Sequence, residues 1–150
     1  MWQRIQTVWL LLAALCMVLL FFFPIAHVGD YELSSLFLYQ EDNVLRVMWE
    51  LAALDALVVV LALLTIVLFK KRKMQMHLCI FNILLTIGYG ILVFFLGFRF
   101  SDKIQQEGLN FGLVPTVWLL LPVLSIFFFI LAFRNIRKDE ILIRMSNRLR

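Results

Sequence analysis

Asp55 is the side chain whose setting most demands a chemical explanation. It stands inside an apolar stretch over about residues 47–69, whose other acid, Glu50, lies near the start and reaches water at the rim. Counted as helix from residue 47, Asp55 lies eight residues in, a depth of about 12 Å. An ionised carboxylate at that depth in lipid costs several kcal/mol, so it must be protonated or paired. No Lys or Arg falls within any long apolar stretch, which argues against a buried ion pair within the chain. The same depth on a third helix reaches Gly88, Tyr89 and Gly90, and on a fourth reaches Pro122, whose ring would free the carbonyl of Trp118. A neutral Asp55 can donate to that carbonyl or bond the Tyr89 hydroxyl. Three roles follow: an interhelical hydrogen bond, an acceptor for a partner subunit's cation, or a proton or cation relay. The first is expected, because transport ordinarily uses several intramembrane polar groups and Asp55 stands almost alone.

The remaining candidates point away from catalysis. Asn82, Thr86 and Gly90 recur at i, i+4, i+8, a small and polar helix face suited to close packing and interhelical hydrogen bonds. His77 adjoins the cluster Lys70–Lys73, where solvent or lipid phosphate surrounds it, and His27 lies across the membrane from it, so the two do not form a metal site. Cys16 and Cys79 sit in apolar runs without CxxC spacing and read as inert packing residues. Ser34 and Ser35 lack a G-x-S-x-G setting, Ser125 has no histidine near it, and Gly88-x-Gly90 lacks the strand context of a dinucleotide loop. With no nucleophile, metal cluster or acid–base pair in view, neither an enzyme nor a cofactor is expected.

The elements that must position these residues follow from composition. The chain has 150 residues, 63% hydrophobic and 16% charged, with mean hydropathy +0.95. Soluble domains average about 45–50% apolar and about 25% charged residues, and a small chain has too much surface to hide such an excess. Lipid is the implied solvent. A span needs about 20 apolar residues, and four stretches supply them, at about 7–26, 47–69, 78–98 and 113–133. Lipid offers backbone groups no partners, so the spans are helices. The first stretch is longer than a signal-peptide core, ends Phe21-Phe22-Phe23-Pro24 and offers no Ala-x-Ala site, so it reads as a retained helix. Pro115 should open the fourth helix and Pro122 should kink it. Trp2, Trp9, Trp49, Tyr31, Tyr39 and Trp118 fall towards span ends, as interface anchors do.

Charge fixes the threading. Arg4, the Lys70–Lys73 turn and the segment 134–150 hold eleven of the Lys and Arg residues, against Arg46, Arg99 and Lys103 on the other side. Positive residues near span ends stay in the cytoplasm, which places both termini inside. In the first outer loop Leu33, Leu36, Phe37, Leu38 and Tyr39 are too apolar for a wet connection and should lie among headgroups or cover the helix ends. In the tail 134–150, a helix would gather Ile141, Leu142, Met145 and Leu149 on an arc of about 100°. A basic amphipathic helix of this kind lies on the anionic inner leaflet or docks on a protein partner. It lacks the interleaved aromatics of a nucleic-acid platform.

The opening Met1-Trp2-Gln3-Arg4-Ile5-Gln6-Thr7-Val8-Trp9 and the tail segment Ile136-Arg137-Lys138-Asp139-Glu140, with Arg148-Leu149-Arg150, resemble a family of bacterial four-helix inner-membrane proteins classed as a domain of unknown function. The resemblance implies the same four-span layout and brings no activity, catalytic residue or cofactor. Both motifs fall on the cytoplasmic side, which marks Arg4, Arg137, Lys138, Arg144, Arg148 and Arg150 as a candidate interaction surface. The expectation is an all-α membrane protein of one domain, 1–150: an antiparallel bundle of four transmembrane helices plus a cytoplasmic C-terminal amphipathic helix. Its expected role is an accessory or structural subunit that meets a protein partner or another copy of itself, with lipid around it and no identifiable small-molecule substrate. The alternative is a small proton- or cation-coupled carrier built on Asp55, with Tyr89 and Asn82 as its polar neighbours.

Overall fold

The computed structural model describes residues 2–28, 31–40, 43–69, 71–106 and 113–148. In chain order these form α1 (Trp2–Leu19), β1 (Pro24–Val28), β2 (Tyr31–Ser34), β3 (Phe37–Gln40), β4 (Asn43–Val47), α2 (Trp49–Val67), α3 (Arg72–Gln106), β5 (Leu113–Pro115) and α4 (Leu120–Arg148), the last entered through a 3-10 turn at Val117–Leu119. The chain is mostly helical. α1 packs on α2 and α4, and α3 packs on the same two from the opposite side, so the four helices form a closed ring. Three segments are long and apolar enough to cross a membrane: Trp49–Val67, Arg72–Arg99 and Val117–Leu142. The apolar part of the remaining helix, Ile5–Leu19, is shorter.

The side chains are sorted for lipid. Val8 and Leu11 of α1, Val60 and Leu64 of α2, Leu84 and Ile91 of α3, and Val123 and Phe127 of α4 are all exposed. The interior holds small residues, Ala13, Ala14, Ala62 and Ala132, between larger plugs such as Met17, Tyr89 and Phe129. Buried polar side chains, Asp55, Thr65, Asn82, Thr86 and Ser125, also face inward. Apolar outside with small and polar inside is the arrangement of helices that associate by packing rather than by escape from water.

The fold is not all-α. Five short strands form one antiparallel sheet in the order β4-β3-β2-β1-β5 at the end of the bundle where α2 begins. β1 to β4 make a meander in sequence, and β5, from the connection between α3 and α4, adds to the free edge of β1 through Ala26 and Pro115, His27 and Val114, and Val28 and Leu113. A chain that leaves a helix in apolar surroundings must pair its backbone again at once, and the sheet does this for the segments between helices. Thr116 closes the corner: its amide donates to the Ile25 carbonyl (3.0 Å), and its hydroxyl lies 2.6 and 2.7 Å from the carbonyls of Pro24 and Ile25. His27 and Glu32 stand opposite each other on β1 and β2, with Nδ1 3.7 Å from Oε1.

Several expected boundaries move as a result. The first stretch, expected as 7–26, is helix over Trp2–Leu19 and strand from Pro24. Pro115 does not open a helix but ends the edge strand β5, a position where its missing N–H is tolerated. Pro122 falls in the first turn of α4, where proline is tolerated, and the helix runs on from it to Arg148. The segment 134–148 is not a separate amphipathic helix but the uninterrupted end of α4. Neither Gly nor Pro occurs after Pro122, and the strong helix formers Arg, Lys, Glu, Leu and Met carry the last turns onward.

Candidate functional site

Asp55 sits six residues into α2, about 9 Å along the helix, and is fully buried. Its partner comes from the sheet. The turn between β2 and β3 enters the mouth of the bundle, where Ser34 and Ser35 are buried, and Ser35 Oγ donates to Asp55 Oδ2 at 2.9 Å. The Tyr89 hydroxyl of α3, also fully buried, donates to Ser35 Oγ at 3.3 Å. Asp55 and Tyr89 therefore share a site, but through the serine rather than directly. The expected bond from Asp55 to the Trp118 carbonyl is not made; Trp118 instead stacks on Phe23, with centroids 3.9 Å apart. The turn is pinned in place by the Met48 amide, which donates to the Leu36 carbonyl at 2.8 Å just before α2 begins. Ser35 was weighed in the sequence only as a nucleophile. The signal that would have found its role is the apolar character of the loop around it, since residues that cover a bundle end must carry something into it.

Asn82 lies seven residues before Tyr89 on α3, about 10 Å deeper. It is fully buried, and neither its amide nitrogen nor its amide oxygen has a hydrogen-bond partner among the described residues; the same holds for Asp55 Oδ1. The expected small and polar face is only partly a packing face. Thr86 is buried and returns its hydroxyl to the Asn82 carbonyl at 2.8 Å, whereas a Cβ built on Gly90 meets nothing within 4 Å. Gly90 borders an apolar groove of about 670 Å³ between α3 and α4. Of two further hydroxyls, Thr65 returns to the Leu61 carbonyl of its own helix (2.7 Å), and Ser125 of α4 reaches the Ala13 carbonyl of α1 (3.4 Å). Among the described residues no three His, Cys, Asp or Glu side chains group closely enough to hold a metal, and Cys16 and Cys79 are buried free thiols.

The opposite end of the bundle carries the second polar centre. Asp139 of α4 is nearly buried; it accepts a hydrogen bond from Gln6 Nε2 of α1 at 2.5 Å and faces Arg72 Nη1 of α3 at 3.8 Å. One carboxylate thus joins three helices. Arg137 and Lys138 flank it, exposed on α4. Arg4 lies on α1 and Arg144 and Arg148 on α4, with side chains outside the described residues, as is the whole of Arg150.

Gln6 and Asp139 belong to the two terminal segments, 133 positions apart, that set this sequence apart from an anonymous apolar bundle. The family described as a domain of unknown function (DUF4293) matches residues 2–149. The chain belongs to that family. Neither a curated protein nor a solved structure matches it. In this DUF4293 domain the matched span runs from the N-terminal segment that supplies Gln6 to the end of α4, so both residues of that contact lie within it.

The linear order Tyr89–Ser35–Asp55 makes a specific prediction. Ser35→Ala leaves two buried groups without their partner and should cost about 1–3 kcal/mol, whereas Tyr89→Phe should cost about 0.5–1.5 kcal/mol. In the Ser35→Ala background the Tyr89→Phe cost should shrink towards zero. Unfolding of the four proteins in detergent checks this: strict additivity would mean that the tyrosine and serine do not share the bond.

Proposed function

We propose that the chain is a non-catalytic accessory subunit of a membrane assembly, crossing a bacterial cytoplasmic membrane four times with both termini and the turn between α2 and α3 in the cytoplasm. The uneven distribution of Lys and Arg supports this orientation. α1 supports the fourth crossing: its 18 residues span about 27 Å, near the thickness of the hydrocarbon core, and it packs along two of the long helices.

The observation that carries the subunit reading is the end of α4. Beyond Phe133 the helix continues for about four turns, anchored at Asp139 to α1 and α3. On this extension Ile141, Leu142 and Met145 are 48, 60 and 60% exposed. A carboxylate spent on holding the extension upright, and apolar side chains carried out among Arg137 and Lys138, suit a surface that another protein covers. The occupant is a partner subunit or a second copy of the chain, with anionic lipid around it; nucleic acid and a small-molecule substrate are not part of this reading. A photo-crosslinking residue at Leu142 should give a discrete adduct in native membranes, and Met145→Glu should abolish it. The same probe at lipid-facing Leu84 should give none. Equal adducts at both positions would sink the proposal.

A second reading has one observation in its favour. Asp55 Oδ1 and both amide atoms of Asn82 are buried without partners among the described residues, as the liganding groups of a proton or cation carrier would be. The seal of Ser35 over Asp55 favours the structural role. Asp55→Asn separates the two. It keeps an acceptor for Ser35, so the subunit should accumulate and melt within about 1 kcal/mol of the parent. A carrier would lose ion flux in proteoliposomes with the same substitution.

A further inference from the structure

At the basic end α3 and α4 part to leave a groove of about 400 Å³, walled by Met76, His77 and Ile80 on one side and Phe133, Arg137 and Ile141 on the other. The geometry points to a binding site for one anionic phospholipid, its phosphodiester held at Arg137, a headgroup hydroxyl at His77, and one acyl chain lying against Ile80 and Phe133. It rests on the proposed orientation only in that the basic end must lie at a headgroup layer, and it shares Arg137 and Ile141 with the partner surface proposed above.

Three features select that occupant. First, the lining changes character along its length. Arg137 and His77 line it from facing helices, and one turn inward on each helix Ile80 and Phe133 lead on to the exposed apolar side chains Leu84 and Ile130. A soluble anion satisfies only the first part of such a groove, and a neutral lipid only the second. Second, the charge is available. Arg137 is exposed and makes no ion pair among the described residues, unlike Arg72, which faces Asp139. Lys73, one turn before His77, and Arg134 and Lys138, beside Arg137, are also exposed, and together they raise the positive potential at the mouth. Glu140, the acid of the lining, is already engaged within the chain. Third, His77 is fixed. Its Nδ1 lies 2.7 Å from the Lys73 carbonyl and donates to it, which leaves Nε2 as an acceptor for a headgroup hydroxyl, such as those of phosphatidylglycerol. Basic pockets between membrane helices at the cytoplasmic level are where acidic headgroups bind, and a guanidinium matches a phosphodiester with two parallel hydrogen bonds.

The test uses the purified full chain in neutral detergent, titrated with phosphatidylglycerol or with phosphatidylcholine of the same acyl chains, bound lipid being read by native mass spectrometry. Phosphatidylglycerol should bind more tightly. Arg137→Gln should weaken it about fivefold, the contribution of one cation near a lipid surface. Ile80→Trp, which fills the apolar wall without changing charge, should also displace it. Lys71→Gln removes an equal charge at an exposed position outside the groove and should have little effect. A loss as large with Lys71→Gln as with Arg137→Gln would mean diffuse attraction and overturn the site. Equal binding of the two lipids would overturn it as well, as would inorganic phosphate competing the lipid away while Ile80→Trp binds normally.

Discussion

Lipid cannot hydrogen-bond to a polypeptide, and the layout of this chain follows from that constraint. Backbone groups within the bilayer must pair within their own segment, so the middle of the molecule is helix and the side chains turned outward are apolar. The constraint also reaches the connections. Where α1 and α3 end, the chain pairs with itself again as an antiparallel sheet, and the connection between α3 and α4 is drawn onto the same sheet by β5. The sheet is therefore a continuation of the backbone pairing that the bundle begins.

Two carboxylates mark the two ends, and each is used as a fastener. Asp55 receives Ser35 from the sheet, with Tyr89 behind it, so one hydrogen-bonded chain joins the β2–β3 turn, α2 and α3. Asp139 receives Gln6 and faces Arg72, joining α1, α3 and α4. Between them the interior is held by small side chains that let the helices approach closely and by the Ser125 hydroxyl of α4 on the Ala13 carbonyl of α1. Breaking either fastener would leave buried polar atoms without partners in a place where water does not replace them. The two ends differ in what they present beyond the fastener. At the sheet end the polar group is covered. At the basic end Arg137 and Lys138 remain exposed next to apolar side chains, and both the proposed subunit contact and the proposed lipid site draw on that combination.

The helices were legible because about 20 apolar residues in a row have few other meanings, and the basic clusters fall consistently on alternate turns. Asp55 and Tyr89 could be paired by depth alone, since antiparallel helices of equal rise bring equal counts to the same level. The sheet was not read, for a physical reason: strands of three to five residues give too few alternations to stand out from an apolar loop. A cue was present. Gly29-Asp30 separates Ile25–Val28 from Tyr31–Ser34, two residues of hairpin type between apolar-rich runs. Missing the sheet concealed Ser35, because the position of a turn residue depends on the strands either side of it. The tail was misjudged for another reason. Amphipathic periodicity describes which face is apolar and says nothing about where a helix began, so Ile141, Leu142 and Met145 fit the end of α4 as well as a separate surface helix. Asp139 was read only as one letter of a terminal motif; its contact with Gln6 spans nearly the whole chain and has no local signature.

The claim beneath all of this is that the bundle lies across a bilayer with its sheet outside and its basic end inside. Glu32 of β2 and Lys71, just before α3, are exposed at the two ends. Each can be changed, as Glu32→Cys and Lys71→Cys, in a background where the buried Cys16 and Cys79 are replaced by alanine. A membrane-impermeant maleimide applied to spheroplasts should label the Glu32→Cys protein at once and the Lys71→Cys protein only after lysis. Labelling of Lys71→Cys in sealed spheroplasts, or of both proteins alike, would contradict the account.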